Sequence, residues 1–242
     1  MSLELQGINL SLAGRQLIQS LDMHLHPGEV VGLLGPNGAG KTTTFNLITG
    51  QLQPDQGDIS LDGHSITALT MPQRARLGLG YLPQEASVFR SLTVRDNLLL
   101  SLEQSRLPAP ARRQRLNQLV ADFQLKPFLQ RRGAQLSGGE RRRTEVARAL
   151  AVGTHGPRYL LLDEPFAGVD PLAVHDLQTL ILRLKQQQVG LLITDHNVRE
   201  TLSITDRAYI LNEGTILASG SSQVVASDPL VRQYYLGTSF TI

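Results

Sequence analysis

Along its first 26 residues the chain alternates apolar and polar side chains, LELQGINLSL and then RQLIQSLDMHL, the period-two pattern of short antiparallel strands with one wet face. The run EVVGLLG at 29–35 breaks that alternation. It is compact and apolar, it enters a glycine-rich turn, and TTFNLITG behind it ends at Gly50 as a helix does at its C-cap, so the pattern predicts strand, loop, helix. DQGDISLDGHSI at 55–66 predicts a hairpin with turn residues at DQG and DG. From 91 to 151 the spacing is helical (TVRDNLLLSLEQ, PAPARRQRLNQLVADFQL, ERRRTEVARALA), with a proline-rich break at 108–110. Buried-strand runs then return as YLLLD (159–163), GLLIT (190–194) and RAYILN (207–212), with the helical VHDLQTLILRLKQQQ between the first two. Apolar strands alternating with helices predict a mostly parallel sheet covered on both faces.

Composition narrows the setting. A chain of 242 residues, 41% hydrophobic, can bury a sizeable core, and with no cysteine it builds neither a disulfide framework nor a thiolate metal site, which fits a reducing compartment. MSLELQGINL does not read as a signal peptide, and no apolar run approaches the roughly 20 residues that span a bilayer, so any membrane crossing falls to another chain. The net charge of +2 divides unevenly: residues 85–150 hold 13 Lys+Arg against 6 Asp+Glu, net +7, leaving net −5 elsewhere. A basic surface attracts phosphate, nucleic acid or anionic lipid, although most of these arginines read as solvated helix faces. Only Lys41, Lys126 and Lys185 are lysines, which draws attention to Lys41.

The turn GPNGAGKT (35–42) fits G-x-x-x-x-G-K-[ST] between a predicted strand and a predicted helix. Gly35, Gly38 and Gly40 let the chain curl around phosphates at a helix N-terminus, with Pro36, Asn37, Ala39 and Thr43 completing the cradle. Lys41 supplies a point charge for the outer phosphates and the Thr42 hydroxyl a ligand for Mg²⁺. YLLLDE places Asp163, a further metal ligand, and Glu164, a candidate general base, at the end of a buried strand, where ligands of open α/β sheets collect. ITDHN repeats the design: His196 stands where an imidazole touches a γ-phosphate, whereas His24, His26, His64, His155 and His175 read as surface or satisfied residues. Gln84, in YLPQE, follows a short predicted strand at the entrance to the helical stretch and is a candidate for the metal shell or the lytic water.

LSGGE (136–140) is a second anion-binding device. Ser137 and Glu140 form a capping box, but Gly138 and Gly139 weaken a helix by about 1 kcal/mol each relative to alanine, so something needs that backbone bare. One nucleotide hardly needs two cradles. The economical reading is that LSGGE covers the γ-phosphate held by another copy, in a head-to-tail homodimer around two nucleotides.

GPNGAGKTT, YLPQE, LSGGERRR, YLLLDEPFAGVDP and ITDHN stand in the order found in ATP-binding-cassette ATPases, and the chain resembles that family over essentially its whole length. The resemblance implies an α/β fold, a P-loop NTPase (RecA-like) core at 1–84 and 152–242 that includes an N-terminal antiparallel β subdomain, and an inserted α-helical subdomain at 85–151. It implies ATP with Mg²⁺, Asp170 communicating across the dimer, and a groove near Gln84 that receives a membrane permease subunit, for which Phe89 and Arg90 are candidate contacts. The chain would sit peripherally on the cytoplasmic face of the inner membrane, touching neither cargo nor nucleic acid. Within the family, PNGAGKTTTFN, GYLPQEASVFRSLTV, LLITDHNVRETL and the ending YYLGTSF are most similar to the ATPases of lipopolysaccharide exporters. Alternatives are branched-chain amino-acid importers, a soluble nucleic-acid-associated ATPase and a binding-only switch. Two features depart from the family: the adenine-stacking aromatic is replaced by Leu12, and the loop AVGTHGPRY is longer than usual.

Overall fold

The computed structural model describes residues 1–153, 156–237 and 240; His155 lies outside them. Strands β1 (Leu3–Leu12) and β2 (Arg15–Leu25) form where the alternation predicts, and they pair antiparallel from Leu3 opposite Leu25 to Leu12 opposite Arg15. β3 (Val30–Leu34) runs into the glycine loop, and α1 (Lys41–Thr49) follows, closed by Gly50 at φ 82. β4 (Gln56–Leu61) and β5 (His64–Ser65) complete a four-stranded antiparallel sheet in the order β2-β1-β4-β5. The DG turn is present, with Asp62 and Gly63 both at positive φ. The DQG turn is not. Gln56 and Gly57 belong to β4, and a Cβ on Gly57 would lie 2.5 Å from the Gln6 carbonyl, so this glycine serves a close strand crossing at a bulge.

α2 (Met71–Arg76) precedes β6 (Leu79–Leu82), the short strand expected before Gln84. The sequence pattern announced β6 but not α2. Three helices fill the basic insert: α3 (Val94–Gln104), capped by Thr93; α4 (Ala109–Asp122), started by Pro108 and Pro110; and α5 (Gly138–Ala149). Then come β7 (Tyr159–Asp163), α6 (Pro171–Gln186), β8 (Gly190–Thr194), α7 (Val198–Leu202), β9 (Arg207–Asn212), β10 (Thr215–Gly220) and α8 (Ser222–Ser227).

The second sheet has the order β10-β9-β3-β8-β7-β6, parallel apart from the β9–β10 pair. Its central strands are buried on both faces. Leu160, Leu162, Leu191 and Ile193 join a core with the insert and α6, while Leu161, Leu192, Val31 and Leu33 face a core shared with α1 and the antiparallel sheet. That double burial explains why these strands read as continuous apolar runs. Arg74 of α2 is fully buried and donates to the Leu47 and Ile48 carbonyls at 2.6 and 2.8 Å, placing a cation at the C-terminus of α1, where the helix dipole favours it.

Candidate active site

β3 lies between β9 and β8, and β7 is one strand further, so the glycine loop, Asp163 and the residues after Thr194 all emerge at the same edge of the sheet. Gly35, Gly38 and Gly40 all have positive φ, at 148, 79 and 108, and a Cβ on Gly35 would strike the Leu211 carbonyl at 2.0 Å. The loop therefore cannot be built from other residues without moving β9. No side chain caps α1, whose N-cap is Gly40, so its first turn is left for an anion. Asn37, Gly38, Gly40, Lys41, Thr42 and Thr43 line a cavity of about 520 Å³ that also contains Glu164 and His196. Gly35, Pro36 and Ala39 stand behind it. The Gly35 and Pro36 carbonyls accept the Lys41 ammonium at 2.7 and 2.9 Å, and Ala39 packs into the core. Burial lowers the Lys41 pKa, and the Glu164 and Asp163 charges oppose that shift.

Glu164, His196 and Gln84 meet at one carboxylate, although 80 residues separate Gln84 from Glu164. Gln84 Nε2 donates to Glu164 Oε2 at 2.8 Å, and His196 Nε2 lies 2.8 Å from Oε1. His196 thus contacts the candidate base in addition to lining the cavity of the glycine loop. The Glu164 backbone is left-handed, φ 47, a conformation that costs a non-glycine residue about 1–2 kcal/mol. Asp163 is 3% exposed. Burial, then the Glu164 charge, push its pKa up to about 6, and the Tyr81 hydroxyl, at 3.4 Å, is the largest opposing influence.

These residues fit a hard divalent cation in part. Asp163 offers a carboxylate, Thr42 a hydroxyl on the cavity wall, and Gln84 an amide oxygen, since its nitrogen is engaged with Glu164. Thr194 Oγ1, on the residue paired with Asp163, is buried without a hydrogen-bond partner among the described residues, so the strand end has unused polar capacity. No group of three His, Cys, Asp or Glu side chains clusters among the described residues. That is the donor set expected where substrate phosphates complete the shell.

The LSGGE stretch, the signature loop, is built as the sequence predicts: the Ser137 amide donates to Glu140 Oε2 at 2.9 Å, and the Glu140 amide to Ser137 Oγ at 3.3 Å. Neither Gly138 nor Gly139 has positive φ, and a Cβ on Gly138 would meet nothing within 4 Å. The fold of this chain therefore does not explain the glycines. They border a separate cavity of about 440 Å³ with Asp170, which also caps α6 through the Ala173 amide at 3.1 Å. Leu12 is 56% exposed and does not line the nucleotide cavity; its register partner Arg15 does, together with Gln16 and Leu17. Phe89 and Arg90 are exposed, with the Arg148 guanidinium 4.6 Å above the Phe89 ring. His24, His26, His64 and His175 are exposed, as expected.

Two buried residues escaped the sequence reading. Asp195 accepts the Phe166 and Asn197 amides, both at 2.8 Å, and so ties the turn after β7 to the one after β8. Arg142 spans the carbonyls on either side of Glu164. Their signals were present, as the acid before His196 in ITDHN and an Arg/Glu pair at i, i+3 in RRTE (142–145).

A phosphate loop facing acids and a histidine at neighbouring strand ends defines a P-loop nucleotide hydrolase. The ABC transporter family model matches residues 18–167. The lipopolysaccharide export system ATP-binding protein LptB of Acidithiobacillus ferridurans is 52% identical, covering 99% of this chain and 98% of that one. Its Escherichia coli counterpart is 47% identical (95% and 94%), and a probable ABC transporter ATP-binding protein of Azorhizobium caulinodans is 49% identical (100% and 85%). Among solved structures, a nucleotide-free ATP-binding cassette from an ABC transporter superposes with a TM-score of 0.87 at 27% identity, covering 98% of this chain and all of that one. An ADP-bound cassette superposes at 0.86, also at 27% identity, covering 98% and 99%. The chain belongs to the ABC transporter ATP-binding family and is an ABC ATPase subunit that binds and hydrolyses ATP. Among the described residues no helix is long and apolar enough to cross a membrane.

Proposed function

We propose that this subunit is the motor of a lipopolysaccharide exporter, closing head to tail with a second copy around two ATP molecules. Glu164 is the general base: Gln84 and His196 hold its two oxygens, so the carboxylate is oriented toward the cavity that Lys41 shares. That bracketed carboxylate is the observation that carries the reading. The loop amides and Lys41 bind the phosphates, and Thr42, Asp163 and Gln84 would hold Mg²⁺, which neutralises phosphate charge when bound. Ser137, Gly138 and Gly139 cap the partner's γ-phosphate, a role supported by the empty space over Gly138. Asp170 lies beside them at the same interface. Leu17 and Arg15, with Leu12 nearby, serve the adenine side.

The division into a core (1–84 and 152–242) and a helical subdomain (85–151) provides two bodies that can move relative to each other. The Phe89–Arg90 surface receives the permease subunits, holding the motor peripherally at the cytoplasmic face of the inner membrane. Identities of 47–52% to proteins named for lipopolysaccharide export, over nearly their full length, support the cargo.

Glu164→Gln should lower ATP turnover by about 100-fold or more while leaving nucleotide binding intact. Undiminished turnover would remove Glu164 from the base role. Co-purification from detergent-solubilised membranes tests the cargo: associated permeases of an amino-acid importer would replace export with import.

A further inference from the structure

Arg142 is one of three consecutive arginines on α5, yet it is only 7% exposed. Its Nη2 donates to the carbonyls of Asp163 and Glu164 at 3.2 and 3.0 Å, and its Nε to that of Pro165 at 3.2 Å. One guanidinium therefore spans the whole turn in which Glu164 is left-handed. Such a conformation persists only where its surroundings over-determine it. Its Nη1 reaches the Pro83 carbonyl, next to Gln84, and Glu145 Oε2, both at 3.3 Å. Glu145, 2% exposed, uses its other oxygen to accept the Ser87 and Val88 amides at 2.8 and 3.3 Å. The buried pair is thus joined to both segments that supply the catalytic carboxylate and its glutamine, and to the stretch leading to Phe89. Neither side chain lines the cavity of the phosphate loop, although Arg142 borders the one beside Ser137 to Gly139.

We infer that the Arg142–Glu145 pair is a positioning device that fixes the left-handed turn carrying Glu164 and aligns it with Gln84. The inference rests on Glu164 acting as base. Lysine in place of Arg142 keeps the charge but loses the planar fork that serves several carbonyls at once.

The experiment measures single-turnover hydrolysis of ATP, nucleotide affinity in EDTA and thermal melting for the full-length wild type, Arg142→Lys, Glu164→Gln and the double variant. Arg142→Lys should slow hydrolysis by about 30-fold with affinity within about 3-fold of wild type, and should change the residual rate of Glu164→Gln by less than about 3-fold, because a group acting through Glu164 has nothing left to position. Equal slowing on both backgrounds, or loss of affinity parallel to loss of rate, marks a general structural role and overturns the inference. Wild-type hydrolysis in Arg142→Lys overturns it too, while leaving the base assignment intact if Glu164→Gln is inactive. Normal turnover in Glu164→Gln removes the base and the positioning role together. Should Arg142→Lys fail to fold, Arg142→Met/Glu145→Leu replaces the buried charges with apolar volume, a change often neutral for stability. A folded double variant that binds ATP and hydrolyses it normally, or failure of this variant to fold as well, defeats the inference; a folded, binding and slow one supports it.

Discussion

Asp163 is where function opposes stability within one side chain. Its folded pKa stands near 6 against an ordinary 3.8, chiefly because the carboxylate is buried and faces Glu164. The native state therefore binds this proton more tightly than the unfolded chain does, and stability falls as pH rises from about 4 to about 6. Asp163→Asn removes the buried charge and should stabilise the nucleotide-free protein at pH 7 by on the order of 3 kcal/mol, the free energy that corresponds to the shift, with the gap narrowing toward pH 4. Urea denaturation in EDTA at the two pH values measures it, and a less stable asparagine variant at pH 7 would contradict this account. Lys41, Asp163, Glu164 and His196 were legible in the sequence because each follows a recognisable buried strand. Arg142 was hidden because a run such as ERRR reads as a solvated face, and burial of one member depends on what packs over it.

Helix α5 raises the same conflict at the level of an element. Its capping box is satisfied, and the two glycines after the cap answer no backbone or packing requirement inside the chain. Gly138→Ala should leave melting unchanged or raise it, since alanine is favoured in helices by up to about 1 kcal/mol and its methyl group meets nothing. ATP turnover should nevertheless fall about tenfold or more, because the methyl group occupies the approach of the partner's phosphate. Raised stability with full turnover would leave the bare backbone without a purpose. Helices with periodic faces and strands buried on both sides were readable from pattern alone. The six-residue α2 was not, and DQG misled because glycine marks a close strand crossing as readily as a turn.

At the scale of the molecule, strand order was beyond the sequence. The runs at 159–163 and 190–194 announce strands, but only long-range pairing places β8 between β3 and β7 and so gathers the loop, acids and histidine at one edge. That arrangement leaves two separate cavities on each chain: one contains Lys41 and Glu164 but no signature residue, the other contains Ser137 to Gly139 but no part of the phosphate loop. The proposed twofold head-to-tail pairing would complete both at once, and nucleotide would then be part of the interface rather than a guest beside it. With hydrolysis blocked by Glu164→Gln, saturating Mg·ATP should therefore convert the 26.5 kDa chain to twice that mass in light scattering, and EDTA or ADP should reverse it. Adding Gly138→Asp on the same chain should abolish dimerisation, because a carboxylate would then face the partner's triphosphate, whereas nucleotide binding to each subunit should persist through the untouched loop. A chain that stays single with Mg·ATP bound, even beside its membrane subunits, would mean that the cradle works without a lid from a second copy.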